Sequence, residues 1–353
     1  MPRRVHDGSR GGVLGGRMAK FAVVGAGAWG TALAAHAARL GHVVTLWALE
    51  PEVAEEITNR HTNSIYLPDL PLPEKLRASS DMGAAVDGAD VVILVPPSSH
   101  LRSVGTKLAP TLGPRTHVVV ATKGIEEGSL KLMSEVLAET MPALGERLAF
   151  LSGPSFAKEV ARGLPTDVVV ASKGLTTASA IQALMHAPNF RTYSSADPIG
   201  VQVGGAIKNV LAVATGVCDG LSFGDNARAG VITRGLAEMT RLGVALGANP
   251  LTFLGLSGVG DLVLTCAGDL SRNRTLGKQL AAGVDPKEYL ASKRSVAEGF
   301  STSAAAYALA QKLGVEMPIT ENVYEVLHRG RPLKQAVQML LERTHKHELE
   351  GIV

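Results

Sequence analysis

Short runs of aliphatic and β-branched residues alternate with helical patterns over residues 18–200. Several of the short runs are continuously apolar, which is typical of strands buried on both faces of a parallel sheet. Repeated strand–helix–strand units predict a doubly wound parallel sheet. The predicted strands are 21–24, 43–47, 76–79, 91–95, 118–121, 149–152, 168–171 and 191–193. Predicted helices between them include 31–40, 98–108, 129–140 and 177–186.

The strand signal ends near Val201, and only helical patterns follow. They lie near 204–218, 227–246, 272–282, 300–312 and 318–328, separated by Gly- and Pro-containing breaks at 247–250 and 314–318. We therefore expect an α/β domain over residues 18–200 and an all-α domain over 201–342. Residues 1–17 are predicted to be a disordered extension or a misassigned start, and 343–353 a charged tail.

Composition narrows the functional classes. Of 353 residues, 46% are hydrophobic and 19% charged, which is enough apolar material for two folded cores. The whole net charge of +3 arises within residues 1–17, so the neutral remainder predicts no nucleic-acid partner. Cys218 and Cys266 are far apart and form no C-x-x-C motif, which favours free thiols in a reducing, cytoplasmic compartment.

The sequence also predicts no bound metal and no integral membrane association. The histidines lack the spacing of metal ligands, and His345 and His347 lie in the charged tail. The uncharged stretch 21–38 carries three glycines that weigh against a membrane span, and no other stretch approaches one.

A glycine motif follows the first predicted strand and opens the first predicted helix. Gly25, Gly27 and Gly30 form G-x-G-x-x-G, with Ala28 and Trp29 between the last two glycines. The first glycine permits a tight turn, the second lets a pyrophosphate approach the backbone, and the third lets helix pack on strand. A strand before, a helix after and a second strand at the right spacing favour dinucleotide binding over a purely structural turn. The α/β domain is therefore predicted to be of Rossmann type.

The choice between NAD and NADP depends on the end of the second strand. Glu50 could accept a hydrogen bond from an adenosine ribose hydroxyl, and Ala48 and Leu49 supply no arginine for a 2′-phosphate. This favours NAD. The alternative is that Glu50 is only an exposed first-turn residue beside Pro51.

Polar clusters end two other predicted strands. Lys123 follows 118–121, so the switch-point rule places it over the crevice at the carboxyl end of the sheet, the alternative being a surface lysine. Gly153 and Ser155 follow 149–152, and Ala157 comes shortly after. The second cluster has two interpretations: a ligand-binding turn, or a helix start with Ser155 as N-cap.

Two further clusters lie in the helical region. Gly204 and Lys208 share a helix face. The glycine pair that begins at Gly204 either clears space for a ligand beside the amine or allows close helix packing, with Lys208 pointing outward. Asp261 and Thr265 also share a face. An aspartate among apolar neighbours requires a partner, and Lys208 is a plausible one.

The segment 271–274 begins the next helix with a phosphate-binding pattern. Ser271, Arg272 and Asn273 would combine a guanidinium with free helix N–H groups, which suits a phosphate monoester. A capped, solvated helix start is the alternative.

Taken together, the motifs G-A-G-A-W-G, A-T-K-G, S-G-P-S-F-A-K-E, G-G-A-I-K-N-V, I-T-R-G-L-A-E-M, G-V-G-D-L-V-L-T-C and S-R-N-R resemble, in order, the bacterial NAD(P)-dependent glycerol-3-phosphate dehydrogenases. The resemblance runs from about Met18 to Leu341. It implies reversible reduction of dihydroxyacetone phosphate to sn-glycerol 3-phosphate with NAD or NADP, supplying glycerophospholipid synthesis. It also implies a homodimer that binds a small phosphorylated substrate.

The resemblance also implies roles for individual residues. Lys208 would be the general acid/base. The implied substrate contacts are Lys123, Gly153, Ser155, Lys208, Asp261, Ser271, Arg272 and Asn273. The implied cofactor contacts, with those from the glycine motif and the second strand, are Gly25, Gly27, Ala28, Trp29, Gly30, Leu49, Glu50, Lys123, Ala157, Arg272, Val296 and Glu298.

This sequence departs from the family pattern at three positions. Ala28 stands where relatives often have Ser, Ser155 replaces a frequent Thr, and Leu49 stands where some relatives place a basic residue or His. Two other functions stay open. One is a related β-hydroxyacid or 2-keto acid dehydrogenase of the same architecture, and the other is a dinucleotide-binding module without catalysis.

The expected chemistry constrains the lysine. A ketone that accepts hydride develops an alkoxide, which a lysine ammonium can stabilise and protonate, and the neutral amine can take the proton back. A free lysine titrates near pH 10.4, which is too high for base work at neutral pH. We therefore expect burial and nearby positive charge to lower the pKa of Lys208.

Overall fold

The computed structural model describes residues 18–292 and 297–343. The predictions for residues 1–17, for Val296 and for the tail beyond Arg343 fall outside these ranges. The change from strands to helices lies between Ser195 and Pro198. The domain limits 18–200 and 201–342 remain a prediction.

The eight predicted strands are confirmed, with ends shifted by one or two residues. In the described residues they form one sheet in the order β3-β2-β1-β4-β5-β6-β7-β8. The order reverses between β1 and β4, which opens a crevice at their carboxyl ends. The strands are β1 (Lys20–Val24), β2 (Val43–Trp47), β3 (Arg77–Ser79), β4 (Val91–Leu94), β5 (His117–Val120), β6 (Leu148–Ser152), β7 (Thr166–Ala171) and β8 (Phe190–Ser195).

The expectation of a wholly parallel sheet is wrong for the last two strands. β1 to β6 pair in parallel, β7 pairs with β6 antiparallel, and β8 runs parallel to β7. The only helix between β6 and β7 is Ala157–Ala161. Five helical residues span about 8 Å, less than the roughly 16 Å of a five-residue strand. The chain therefore re-enters the sheet from the end at which β6 left it.

Helices cover both faces of the sheet and form the whole second domain, as predicted. Two separate apolar clusters pack on the two sheet faces, and two others fill the helical domain. The helices are α1 (Ala28–Arg39), α2 (Pro51–Arg60), α3 (Met82–Val86), α4 (Leu101–Leu108), α5 (Met133–Thr140), α6 (Ala157–Ala161), α7 (Leu175–Met185), α8 (Pro198–Gly220), α9 (Gly224–Ala245), α10 (Asp261–Ala267), α11 (Arg272–Ala281), α12 (Pro286–Ala291), α13 (Glu298–Leu313), α14 (Pro318–Arg329) and α15 (Leu333–Leu341).

Helix α8 forms the centre of the helical domain. Asp197 caps its start by accepting a hydrogen bond from the Gly200 N–H at 2.9 Å. Contrary to the sequence-based expectation, α8 is long and apolar enough to cross a membrane, but 94% of its most apolar window is buried inside the protein. Its burial explains its composition, because a helix surrounded by other helices is apolar on every side.

Candidate active site

The glycine turn at the carboxyl end of β1 has the geometry of a phosphate-binding turn. Gly25 has φ +117°, and a Cβ there would lie 2.9 Å from the Val95 carbonyl oxygen. A Cβ at Gly30 would lie 1.9 Å from the Gly25 carbonyl oxygen, whereas a Cβ at Gly27 would meet no atom within 4 Å. Gly25 and Gly30 therefore serve the fold, and Gly27 leaves the turn open on the side where α1 begins.

Ala28 and Trp29 form the first turn of α1 next to this opening. The indole Nε1 of Trp29 is buried and has no hydrogen-bond partner within the described part of the chain. A buried indole N–H normally has an acceptor. The turn thus combines first-turn N–H groups with an unused donor, which suits a dinucleotide.

We expect Gly27→Val to weaken NADH binding without unfolding the protein. Gly27 has φ −63° and ψ 176°, which valine adopts, and space exists for its side chain. That same space is where a pyrophosphate would approach, so fluorescence titration should show the Kd for NADH rising by about tenfold or more, roughly the cost of a few lost hydrogen bonds.

Gly30→Val is the matched control for this change, because its side chain would collide with backbone. It should lower Tm together with NADH affinity. Unchanged NADH affinity in Gly27→Val would contradict the assignment of the turn.

The predicted adenosine contacts lie just past β2. Leu49 is exposed, and Glu50 is the residue before α2. The Tyr66 hydroxyl donates to Glu50 Oε1 at 2.7 Å. Glu50 is therefore anchored by the protein rather than simply solvated. Tyr66 was not singled out from the sequence, since it lies in a loop 16 residues away.

A buried carboxylate joins two lysines at the junction of the domains. Asp261, at the start of α10, is 1% exposed and binds both Lys208 of α8 and Lys123, which follows β5. The Lys123 Nζ–Asp261 Oδ2 distance is 2.8 Å, and Lys208 Nζ donates to the other carboxylate oxygen. The predicted Lys208–Asp261 pair is confirmed, and Lys123 supplies the positive charge that was expected near Lys208 while also binding Asp261.

The neighbours of Asp261 fix its orientation. The Thr265 hydroxyl lies 2.6 Å from the Asp261 carbonyl oxygen and 3.3 Å from its Oδ1. A π-helical turn, Leu256–Gly260, directly precedes Asp261. Gly258 interrupts this turn with non-helical backbone angles, φ −96° and ψ −106°, and π-helical turns are frequent at functional sites.

Burial and neighbouring charge shift the pKa values of both Lys208 and Asp261. Burial lowers the pKa of Lys208 from 10.5 to about 7, with the negative charge of Asp261 opposing the shift and the positive charge of Lys123 adding to it. Burial alone would raise the pKa of Asp261, but the charges and hydrogen bonds of Lys123 and Lys208 outweigh it and lower that pKa. The site therefore holds an ionised carboxylate beside an amine that exchanges protons near neutral pH.

The glycines of α8 do not clear space for a ligand, so that interpretation is wrong. A Cβ at Gly204 would lie 2.1 Å from the Ser257 carbonyl oxygen, and one at Gly205 would lie 3.0 Å from Ser152 Oγ. Both glycines allow neighbouring segments to touch α8. The companion idea that Lys208 points outward is also wrong, because its side chain is buried against Asp261.

The predicted phosphate site begins α11. Ser271 is its N-cap, with Oγ accepting from the Arg274 N–H at 3.2 Å. Arg272 is exposed, and within residues 18–292 and 297–343 no protein atom bonds its guanidinium. The Asn273 side chain donates to Asn209 and accepts from the Gly299 N–H, both at 2.9 Å. Arg272 and the first-turn N–H groups are therefore what this turn offers an anion.

Arg274, which the sequence analysis gave no role, holds this turn in place. Its Nε lies 2.5 Å from Asp219 Oδ2 at the end of α8, and its Nη1 lies 2.8 Å from Asp269 Oδ1. Arg228 of α9 binds the same Asp219 at 2.9 Å. The predicted phosphate-binding turn at 271–274 is thus tied to the helix that carries Lys208. Only the acidic and basic character of these residues was visible in the sequence, not their pairing.

The turn after β6 departs from the helix-cap interpretation. Gly153 has φ +130°, and the Ser155 hydroxyl donates to the Gly153 carbonyl oxygen at 2.9 Å. Helix α6 begins at Ala157 with Phe156 as its N-cap, so the alternative of Ser155 as N-cap is wrong. Ser152 Oγ is buried beside Gly205 with no hydrogen-bond partner in the described residues.

Glu298, the first residue of α13, completes the side of the crevice near Arg272. The Ser98 hydroxyl donates to Glu298 Oε2 at 3.1 Å. Burial raises the pKa of Glu298, while the Ser98 hydrogen bond and the charge of Arg272 oppose the shift. Ser98 lies 200 residues away in sequence, which is why sequence reasoning did not find it.

Comparisons with known proteins agree with this geometry. Residues 20–178 match the family model of the NAD-dependent glycerol-3-phosphate dehydrogenase N-terminus, and residues 197–338 match that of its C-terminus. The chain is 51% identical over 330 residues to a glycerol-3-phosphate dehydrogenase [NAD(P)+] of Geobacter metallireducens, covering 93% of this chain and 98% of that protein. A similarly named protein of Syntrophobacter fumaroxidans is 51% identical over 329 residues, covering 93% and 97%.

A solved structure shows the same architecture. The crystal structure of glycerol-3-phosphate dehydrogenase from Coxiella burnetii superposes with a TM-score of 0.87 at 42% sequence identity, covering 92% of this chain and 99% of that one. The predicted fold class, the enzyme class and the dinucleotide cofactor are confirmed. The chain is an oxidoreductase that belongs to the family of NAD-dependent glycerol-3-phosphate dehydrogenases.

Proposed function

We propose that this chain catalyses the reversible reduction of dihydroxyacetone phosphate to sn-glycerol 3-phosphate with NADH or NADPH. The observation that carries the proposal is the buried carboxylate of Asp261, which Lys123 and Lys208 share. An amine that exchanges protons near neutral pH suits interconversion of a ketone and an alcohol. The family relationship supports the same substrate pair.

Lys208 acts as the general acid/base. The nicotinamide supplies or accepts the hydride when it is bound. As negative charge develops on the ketone oxygen, the Lys208 ammonium stabilises it and donates a proton, and in the reverse direction the neutral amine takes the alcohol proton. Asp261 holds the amine in place. Lys123 adds positive charge near the developing alkoxide.

The phosphate binds away from the reacting carbon. Arg272 offers a planar guanidinium that can bind two phosphate oxygens, and the first turn of α11 offers backbone N–H groups. Gly153, Ser155 and Asn273 complete the proposed substrate contacts. Binding energy from the phosphate orients the ketone for hydride transfer.

The residues that would hold the cofactor line the crevice from the glycine turn to Glu298. The open face at Gly27 and the unused Trp29 donor support this placement. Gly25, Ala28, Gly30, Leu49, Glu50, Lys123, Ala157, Arg272 and Glu298 complete the described residues of the proposed cofactor site, and Val296 lies outside those ranges. The anchored carboxylate of Glu50 favours an unphosphorylated ribose, hence NADH over NADPH.

We expect the reductive kcat/KM to fall as pH rises through about 7. Burial lowers the pKa of Lys208 to about 7, so the ammonium that donates the proton is lost above that pH. The oxidative kcat/KM should rise over the same range, because that direction needs the neutral amine.

Asp261→Asn is the informative variant for this profile. The negative charge of Asp261 raises the pKa of Lys208. Removing that charge should therefore move both the fall of the reductive kcat/KM and the rise of the oxidative kcat/KM to lower pH. The measurement is initial rate against pH in both directions. If the pH dependence of kcat/KM is unchanged in Asp261→Asn, the titrating group is not Lys208.

A substrate panel tests the proposed reaction. Purified protein is assayed with NADH and with NADPH against dihydroxyacetone phosphate and a 2-keto acid, and with NAD+ and NADP+ against a β-hydroxyacid. We expect rapid oxidation of NADH with dihydroxyacetone phosphate alone. Preference for a keto or hydroxy acid would support the related dehydrogenase instead. NADH binding without oxidation by any substrate would support a non-catalytic binding module.

We further propose that the enzyme acts as a cytoplasmic homodimer whose product supplies glycerophospholipid synthesis. Cys218 and Cys266 are both free and buried, which suits a reducing compartment. sn-Glycerol 3-phosphate is the phosphorylated backbone of those lipids.

A further inference from the structure

Two buried polar side chains hold one carbonyl group in the middle of the glycine turn. The Ala26 carbonyl oxygen accepts hydrogen bonds from Asn63 Nδ2 at 2.9 Å and from Thr31 Oγ1 at 3.1 Å. Asn63 Nδ2 also donates to Thr31 Oγ1 at 2.9 Å. Both side chains are 0% exposed. Neither belongs to the proposed substrate or cofactor contacts, and the sequence analysis gave neither a role.

The surroundings of Asn63 fix the direction of its side-chain amide. Its Oδ1 accepts from the Tyr66 N–H at 3.2 Å, so the two hydrogens on Nδ2 face Ala26 and Thr31. The Leu67 N–H donates to the Asn63 carbonyl oxygen at 2.9 Å, and Leu67 packs in the apolar cluster on one sheet face. Asn63 is therefore held at its backbone and at both ends of its amide.

The direction of the Ala26 carbonyl decides where the next N–H group points. A trans peptide bond is planar, so the C=O of Ala26 and the N–H of Gly27 point in opposite directions. The Gly27 N–H therefore faces away from Asn63 and Thr31, and the described residues offer it no acceptor. An unused N–H beside the start of α1 is what a pyrophosphate oxygen requires.

Rotation of this peptide would exchange the two groups. The Ala26 oxygen would then face the pyrophosphate, and the partial negative charge of a carbonyl oxygen repels a phosphate. Gly27 makes such a rotation easy, because a residue without a Cβ adopts φ of either sign. The glycine that leaves room for the pyrophosphate therefore needs a restraint on its peptide from elsewhere in the chain.

We propose that Asn63 and Thr31 are positioning residues for the dinucleotide, which fix the Ala26–Gly27 peptide with its N–H toward the pyrophosphate. They act through the backbone of the turn rather than by binding the cofactor themselves. The inference rests on the proposed cofactor site, but not on the proposed substrate or proton donor. The competing explanation is that both side chains only stabilise the loop after α2.

Thr31→Val and Asn63→Leu test the proposal, because each removes one hydrogen bond to Ala26 and keeps most of the side-chain volume. Fluorescence titration should show the Kd for NADH rising by about three- to tenfold in each variant, as loss of one hydrogen bond does. The double variant should lose more than the two single changes combined, because either bond alone still restrains the carbonyl. Thr31→Ser keeps the hydroxyl and should restore the affinity for NADH.

Thr116→Val is the matched control for Thr31→Val. Thr116 is also buried, and its hydroxyl donates to the Ala89 carbonyl oxygen at 2.8 Å. It directly precedes β5, at the edge of the sheet opposite the crevice. The control should lower Tm to a similar extent but leave the Kd for NADH unchanged.

A second measurement separates positioning of the turn from general damage to the domain. ADP carries a pyrophosphate and adenosine does not, so Thr31→Val should weaken competition by ADP against NADH and leave competition by adenosine unchanged. Equal losses for ADP and adenosine overturn the proposal in favour of a purely structural role. An unchanged Kd for NADH in Thr31→Val and in the double variant overturns this proposal alone, whereas an unaltered protein that binds no NADH overturns the cofactor site with it.

Discussion

Replacing Lys208 with methionine should lower kcat in both directions by about 10³-fold or more, since both proton transfer and charge stabilisation are lost. Methionine keeps most of the side-chain volume but provides no ammonium for the developing alkoxide. Dinucleotide affinity should change little, because the glycine turn leads into α1 and Trp29 lies in its first turn, whereas Lys208 is on α8. Single-turnover rates and fluorescence titration of NADH measure the two effects separately.

The control for this prediction is Lys123→Met, at the other lysine on the same carboxylate. Lys123 adds charge but is not the proposed proton donor, so the loss of kcat should be smaller. The pH dependence of the rate should persist but move to higher pH, because the positive charge of Lys123 lowers the pKa of Lys208. Near-normal turnover in Lys208→Met would remove Lys208 from its catalytic role. A loss of NADH binding would indicate that the change damaged the fold instead.

Arg272→Ala should raise KM for dihydroxyacetone phosphate by about 10- to 100-fold, since hydrogen bonds to charged groups contribute about 1.5–3 kcal/mol each. The guanidinium lies at the phosphate turn and no described protein atom bonds it, so binding a phosphate would break no internal contact. Arg272→Lys should recover only part of the affinity, because an ammonium is a point charge without the planar pair of donors.

Arg115→Ala is the matched control, since Arg115 is an exposed arginine between α4 and β5. Its kinetic constants should match those of the unaltered enzyme. If Arg272→Ala changes only the KM for NADH, the guanidinium binds the cofactor and the phosphate site lies elsewhere. If neither constant changes, the phosphate-binding role of this turn is wrong.

The packing of α8 explains why the charged group of Lys123, Lys208 and Asp261 is stable although burying charge is energetically costly. Lys208 and Asp261 are buried beside a half-buried Lys123, and charge burial is tolerated only with good geometry and hydrogen bonds. The geometry is rigid because α8 is packed at the level of its backbone. A Cβ at Gly204 or Gly216 would collide with neighbouring carbonyl oxygens, at 2.1 and 2.0 Å. The glycines therefore position Lys208 by allowing close packing.

Patterns that act over a few residues determined much of this protein. Short runs of aliphatic and β-branched residues predicted all eight strands, and several of these runs are continuously apolar because strands buried on both faces exclude polar residues. The glycine turn after β1 was predictable because the fold needs a positive φ at Gly25 and room at Gly30, and each need selects glycine. The i, i+4 spacing of Asp261 and Thr265 likewise predicted a shared helix face and a buried carboxylate in need of a partner.

Only the tertiary structure decided which distant residues meet. Lys123 and Lys208 bind the same carboxylate, Ser98 reaches Glu298, and Arg274 ties the phosphate turn to α8. The tertiary structure likewise decided the reversed direction of β7 and β8 and the packing role of Gly204. Strand and helix patterns report which face of an element is buried, but not which neighbour buries it. That neighbour is set by how the elements pack, so these contacts required the folded chain.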